Sequence, residues 1–156
     1  MVTIRIKGGL GNQLFQYAAA YSLAKRLNQK LKLDSSFFPQ QTLRGFKLGQ
    51  MNVSCADIAG VQSSIVELYK SRYLNKALRK ANIRVLPCGS KKKYLLETRS
   101  DIVPEFFSIS QTDIYMDGYY QSEEYFETYK KDSSMKFSCY DMSNAAQSKQ
   151  YFERLK

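Results

Sequence analysis

Histidine is absent from all 156 residues, which excludes an imidazole general base, a Ser-His-Asp triad and any His-ligated metal. Long apolar runs are missing too. No stretch approaches the ~18 residues needed to cross a bilayer, and the first residues read as a strand rather than as a secretory signal. The three cysteines, Cys55, Cys88 and Cys139, are odd in number and far apart. A disulfide framework or zinc site is therefore not expected, and free thiols in a reducing, cytoplasmic compartment are. With 44% apolar and 24% charged residues, the default expectation is one globular domain with its own core.

The charge is unevenly placed. Of the net +10, residues 70–93 carry nine basic and no acidic side chains, whereas residues 94–156 hold seven basic and eleven acidic ones. Within residues 65–82, Ile65, Leu68, Tyr69, Tyr73, Ala77 and Ala81 recur at helical spacing, with Lys70, Arg72, Lys76, Arg79 and Lys80 mostly elsewhere. This predicts one basic amphipathic helix. A solvated helix face, or a docking surface for anionic lipid or an acidic substrate, are its two uses. Nucleic acid is not an expected partner, since no recognised motif accompanies the charge.

Val2-Thr-Ile-Arg-Ile-Lys7 alternates apolar and polar β-formers and meets Gly8-Gly-Leu-Gly-Asn12. A helix is predicted from Gln13 to Asn28, where Leu14, Tyr17, Ala18, Tyr21, Ala24 and Leu27 recur at helical spacing, and Lys30–Asp34 looks like a second strand. Strand, glycine loop, helix and strand make a βαβ unit, so the class is α/β with a parallel sheet. Further on, residues 37–64 read mostly as loop, Ile83–Leu86 and Ile114–Asp117 as strands, Cys88–Lys93 as an exposed turn, and Gln121–Lys131 as a helix. The tail from Met142 looks like the opening turns of another helix.

A glycine loop between strand and helix lets a ligand approach the backbone, with the helix N-terminus favouring an anion. Three readings stay open for it. The glycines make only a tight turn capped by Asn12; or Asn12 and Gln13 bind sugar hydroxyls or phosphate oxygens; or Gly9, Gly11 and Asp34 belong to a dinucleotide-binding oxidoreductase. The last lacks the third glycine, replaced by Leu14, and no P-loop lysine follows.

Gly8-Gly-Leu-Gly-Asn-Gln-Leu-Phe-Gln-Tyr-Ala18 with Ser22–Lys25, Leu31–Phe38, Leu43-Arg-Gly-Phe-Lys-Leu48 and Tyr115-Met-Asp-Gly-Tyr-Tyr-Gln-Ser-Glu-Glu-Tyr-Phe126 resembles the bacterial α-1,2-fucosyltransferases, glycosyltransferase family 11. The middle, from Cys55 to Pro104, shows no such match. The resemblance implies a Rossmann-like amino-terminal domain of a metal-independent GT-B enzyme spanning residues 1–156. It also implies transfer of fucose from GDP-fucose, with inversion, to the 2-hydroxyl of a galactoside acceptor during surface polysaccharide synthesis. By the same match Gly9, Gly11, Asn12, Gln13 and Arg44 line the donor side, and Asp117, Tyr119, Tyr120 and Gln121 the acceptor side or domain junction. Asp34 and Asp117 are the aspartates in matching motifs and the candidate bases, and no cofactor or metal is implied. The family's His-x-Arg-Arg-Gly-Asp motif is missing, so the expectation is a chain truncated before the donor-binding domain and of doubtful activity alone. A membrane-peripheral place at the inner face and a non-catalytic glycan- or polyanion-binding module complete the expectations.

Overall fold

Alternation of Val2, Ile4 and Ile6 with Thr3, Arg5 and Lys7 gives the first strand two different faces, and the rest of the fold is arranged on them. The computed structural model describes residues 1–40, 45–50, 53, 57–58, 64–88, 91–99, 101–110, 113–129 and 131. Strand β1 (Val2–Arg5) leads through the glycine loop into helix α1 (Leu10–Arg26) and then strand β2 (Leu31–Asp34), which pairs with β1 in parallel. The predicted βαβ unit is present. Strand β3 (Asp57–Ile58) extends this side of the sheet, while β4 (Val85–Pro87), β5 (Lys92–Leu96) and β6 (Asp113–Asp117) build the other. The order is β3-β2-β1-β6-β5-β4, parallel throughout except for the antiparallel edge strand β4.

Val2, Ile4, Ile6, Leu31, Leu33, Leu95, Ile114 and Met116 pack on one face under α1, which contributes Tyr17, Ala18, Tyr21, Leu23 and Ala24. Each large aliphatic side chain buried there is worth roughly 1.5–3 kcal/mol. Helix α2 (Ser64–Lys70) and helix α3 (Arg72–Lys80) lie against the other face, where Val66 and Leu78 meet Tyr94, Leu96 and Tyr115. A further short helix, α4 (Pro104–Ser108), starts with proline at its first turn, where the missing N–H costs no hydrogen bond, and buries Phe106 beside α1.

Several expectations need correction. The single basic helix over 65–82 is two helices broken at Ser71, whose ψ of 139° is extended. The break turns Val66 and Leu78 inward and leaves Ile65, Leu68, Tyr73, Ala77 and Ala81 exposed, so of the expected apolar face Tyr69 alone packs inward, its ring 5.0 Å from that of Tyr94. Cys88–Lys93 is not simply an exposed turn: Cys88 is buried and β5 begins at Lys92. The lysine run had masked an interior strand. The predicted helix over 121–131 is two single 3-10 turns, Glu123–Tyr125 and Glu127–Tyr129, the first with Ser122 Oγ accepting from the Glu124 amide. Among the described residues of 37–64 there are two 3-10 turns besides β3. The expected helix after Met142, and Cys55 and Cys139, lie outside the described residues.

Candidate functional site

The strand order places β2 and β3 on one side of β1 and β6, β5 and β4 on the other. Because β1 and β6 are adjacent and parallel, their carboxyl ends adjoin at the middle of the sheet, and the crevice outside such strand ends is where open parallel sheets bind ligands. The two sequence motifs meet there. Gly8 has φ of +83°, and a β-carbon on it would stand 2.6 Å from Asn12 Nδ2, so this turn requires glycine. Helix α1 opens at Leu10 with Gly9 as its N-cap and no side-chain capping bond. Asn12 is therefore not the cap. It lies in the first turn, and its Oδ1 accepts a 2.6 Å hydrogen bond from Gln121 Nε2, 109 residues away in sequence.

A β-carbon on Gly9 or Gly11 would meet nothing within 4 Å, so among the described residues no other atom crowds the space in front of either. The leading N–H groups of α1 open onto that space without intrahelical partners, and no acidic residue stands in the first turn. An anion or a sugar oxygen suits this place chemically.

Gln13 takes another part. It is buried, with Nε2 donating to the carbonyls of Gly8 and Gly45 at 3.0 Å each and Oε1 accepting from the amides of Lys47 and Leu48. Its amide is used up in tying the glycine loop to residues 45–48. Arg44 lies outside the described residues.

Asp117 ends β6 and is 1% exposed. Lys7 Nζ donates to it at 2.5 Å, Tyr94 Oη at 2.7 Å and Arg5 at 3.3 Å. Burial pushes this carboxyl up, but the charges of Lys7 and Arg5 and the hydrogen bonds outweigh it and hold it well below the ordinary carboxylate range. Asp34 repeats the arrangement at the end of β2: fully buried, it accepts from Lys70 Nζ and the Ser36 amide, at 2.8 and 2.9 Å, and from the Tyr115 hydroxyl. Its burial too is outweighed by these bonds, and the carboxyl is lowered. Tyr94 and Tyr115 stack at 5.3 Å and, kept protonated chiefly by burial, donate one to each carboxylate.

Such surroundings suit anchors, since a general base works best with a pKa near the operating pH. Asp34 is also closed to a ribose hydroxyl, which removes the acidic residue that the dinucleotide reading needs. Because both carboxyls are lowered by folding, their stabilisation is complete above the unfolded value of about 3.9 and lost as pH falls through the folded values. The melting temperature, followed by circular dichroism, is expected to hold steady from about pH 7 to pH 5 and to fall below about pH 4.

The adjacent tyrosines part company. Tyr120, at φ +51°, is buried in the core with its hydroxyl donating 3.0 Å to the Leu95 carbonyl, so it is not an acceptor-facing residue. Tyr119 is 40% exposed and has the Lys7 ammonium 5.0 Å from its ring centroid. Their conformation is held by Glu97, whose carboxylate accepts from both backbone amides, with Tyr120 N at 2.9 Å. Glu97, Lys7 and Arg5 escaped the sequence reading. Glu97 falls in the stretch without motif matches, though it is the first acidic residue after Glu67; Lys7 and Arg5 share one face of β1 by the alternation already noted. Among the described residues there is no cluster of three or more potential metal ligands.

Over 76 residues, 46% of its length, the chain is 42% identical to the O-antigen biosynthesis glycosyltransferase WbnK of Escherichia coli. Over 54 residues, 34% of its length, it is 44% identical to an alpha-1,2-colitosyltransferase of Escherichia coli. Its homologues are glycosyltransferases. The matches span 25% and 19% of those proteins, so the chain aligns with a quarter or less of each. No protein-family model and no solved structure matches.

Proposed function

We propose that this chain supplies the amino-terminal, Rossmann-like domain of a GT-B glycosyltransferase of the α-1,2-fucosyltransferase type, family 11, acting in O-antigen or related polysaccharide synthesis. Its donor is GDP-fucose, and its acceptor a galactoside attacked through the 2-hydroxyl. The observation that carries the reading is the Asn12–Gln121 hydrogen bond, which joins the two resembling motifs at the β1/β6 crevice. The names of its homologues support transfer of a sugar; the fucose and its GDP carrier rest on the resemblance.

In this reading the acceptor 2-hydroxyl oxygen forms a bond to the anomeric carbon as the bond to the diphosphate breaks, GDP leaves with the bonding pair, and the hydroxyl proton passes to solvent or to the departing diphosphate. The amides leading α1 favour the charge that develops on the departing phosphate, and the bare backbone at Gly9 and Gly11 lets the donor come close. Tyr119 offers an exposed ring to an apolar sugar face. Asp117 acts one step removed, holding Lys7 beneath Tyr119. A second, carboxy-terminal domain holds the rest of the donor.

The test uses residues 1–129 fused to the remaining length of the WbnK relative and measures transfer of labelled fucose from GDP-fucose to a β-galactoside. Asn12→Ala is expected to lower transfer at least ~100-fold, the scale of losing one positioned polar group, and to cost only about 1 kcal/mol of stability. Unchanged transfer with a large stability loss would make Asn12 structural and remove the crevice from the reaction.

A further inference from the structure

Both helices on the second sheet face bury one side against it, α2 through Val66 and α3 through Leu78. Their other sides face outward together. On α2 these outward residues are Ile65, Leu68 and Glu67, the last with its carboxylate paired to Lys70 at 3.0 Å; on α3 they are Tyr73, Lys76, Ala77 and Lys80, spaced i, i+3, i+4 and i+7, with Arg72 beside them. Leu68 is 58% exposed and Tyr73 87%, the latter the most exposed large hydrophobic residue described. Nor are all the cations of the segment available. Lys70 is turned in to Asp34 and Arg79 donates to the Glu97 carbonyl, which leaves Arg72, Lys76 and Lys80 displayed among the apolar residues.

We propose that this face docks on an anionic lipid bilayer. Three features select that partner. Between Glu67 and Glu97 the sequence has no acidic residue, so the displayed cations call for negative charge from outside the segment. Ile65 and Leu68 gain nothing from a soluble polyanion, whereas a bilayer offers acyl surface next to its headgroups. Tyr73 has the apolar ring and polar tip that settle at that boundary, and lysine stems lie along apolar surface with the ammonium kept at headgroup level. No helix among the described residues is long and apolar enough to cross a membrane. The contact leaves the β1/β6 crevice uncovered, because the crevice opens at the strand ends and the docking face is the outer side of α2 and α3.

The test is co-sedimentation of the 156-residue chain with vesicles of phosphatidylcholine, alone or with about 30% phosphatidylglycerol, at about 0.1 M salt. Binding is expected only to the anionic vesicles. Lys76→Gln with Lys80→Gln should weaken it about 25-fold, roughly fivefold per lysine, and Leu68→Ser with Tyr73→Ser about tenfold or more. All four positions are solvent-facing or nearly so, and unchanged thermal melts verify the folds. Equal binding to neutral vesicles overturns the proposal. So does loss with the lysine pair but not with the apolar pair, which describes a soluble polyanion site, or a dimer in light scattering that the apolar pair converts to monomer.

Discussion

Asp117→Asn is expected to destabilise the chain by roughly 3–5 kcal/mol, the range for removing one partner of a buried ion pair. The isosteric amide keeps the shape of the site and reverses half of its chemistry. Lys7 and Arg5 lose their buried counter-charge, and an NH2 group is placed against donors already supplied by Lys7, Arg5 and Tyr94. At roughly 2–4 °C per kcal/mol for a chain of this size, thermal melts should show a drop of about 6–20 °C. Asp57→Asn is the control: its carboxylate pairs with Lys32 at 2.6 Å in an exposed setting and should leave the melting temperature where it was. If Asp117→Asn melted like the unaltered protein, the Lys7–Asp117–Arg5 cluster would not hold the strand ends, and Asp117 would again be a candidate base.

Gly118→Ala should act at the same strand end for a different reason. A β-carbon at this position would lie 2.4 Å from Cβ of Glu97 and 2.8 Å from Cε2 of Tyr120. Neither is the free end of a flexible chain. Glu97 Cβ sits against the backbone just past β5, and the Tyr120 ring is locked by its hydroxyl bond and by Phe106 and Tyr125, 6.2 and 5.2 Å away. The backbone must shift, at a cost near the upper end of the roughly 1–3 kcal/mol typical of overpacking. The shift also breaks the alignment of the Tyr119 and Tyr120 amides with Glu97, so acceptor affinity should fall with stability. Thermal melts and galactoside binding, measured on the same sample, check both; an unshifted melt would show that the loop yields freely.

Legibility in the sequence followed the strength of local periodicity. From Val2 to Asp34 the alternation of β1, the glycine punctuation and the alanine-rich repeat of α1 each specify the structure that forms, and the α/β class follows from that segment alone. The apposition of Asn12 with Gln121 was not legible: the resemblance implied a donor side for one and an acceptor side or domain junction for the other, and nothing local to residues 8–13 or 117–121 encodes that the β1 and β6 ends adjoin. Elsewhere tertiary partners overrode the pattern. Lys92 and Lys93 read as an exposed turn, yet they begin a strand paired on both sides. Lys70 and Arg79 read as surface charge, yet they answer buried acceptors on the sheet, and so the helices turn a different face inward than their periodicity suggests. Gln13 has the right chemistry for a ligand, but its hydrogen bonds are spent on the backbone. Tyr119 and Tyr120 are chemically identical, and only the positive φ of Tyr120 sends one into the core and the other to the surface.

Backbone amide resonances of the 15N-labelled chain, titrated with GDP-fucose, with a β-galactoside and with NAD, test the central claim most directly. GDP-fucose should shift Gly9, Gly11 and Asn12, the galactoside should shift Tyr119 and Gln121, and NAD should move neither group. Shifts with NAD at Gly9 and Gly11, or no response there to GDP-fucose, would contradict a sugar-nucleotide crevice between β1 and β6.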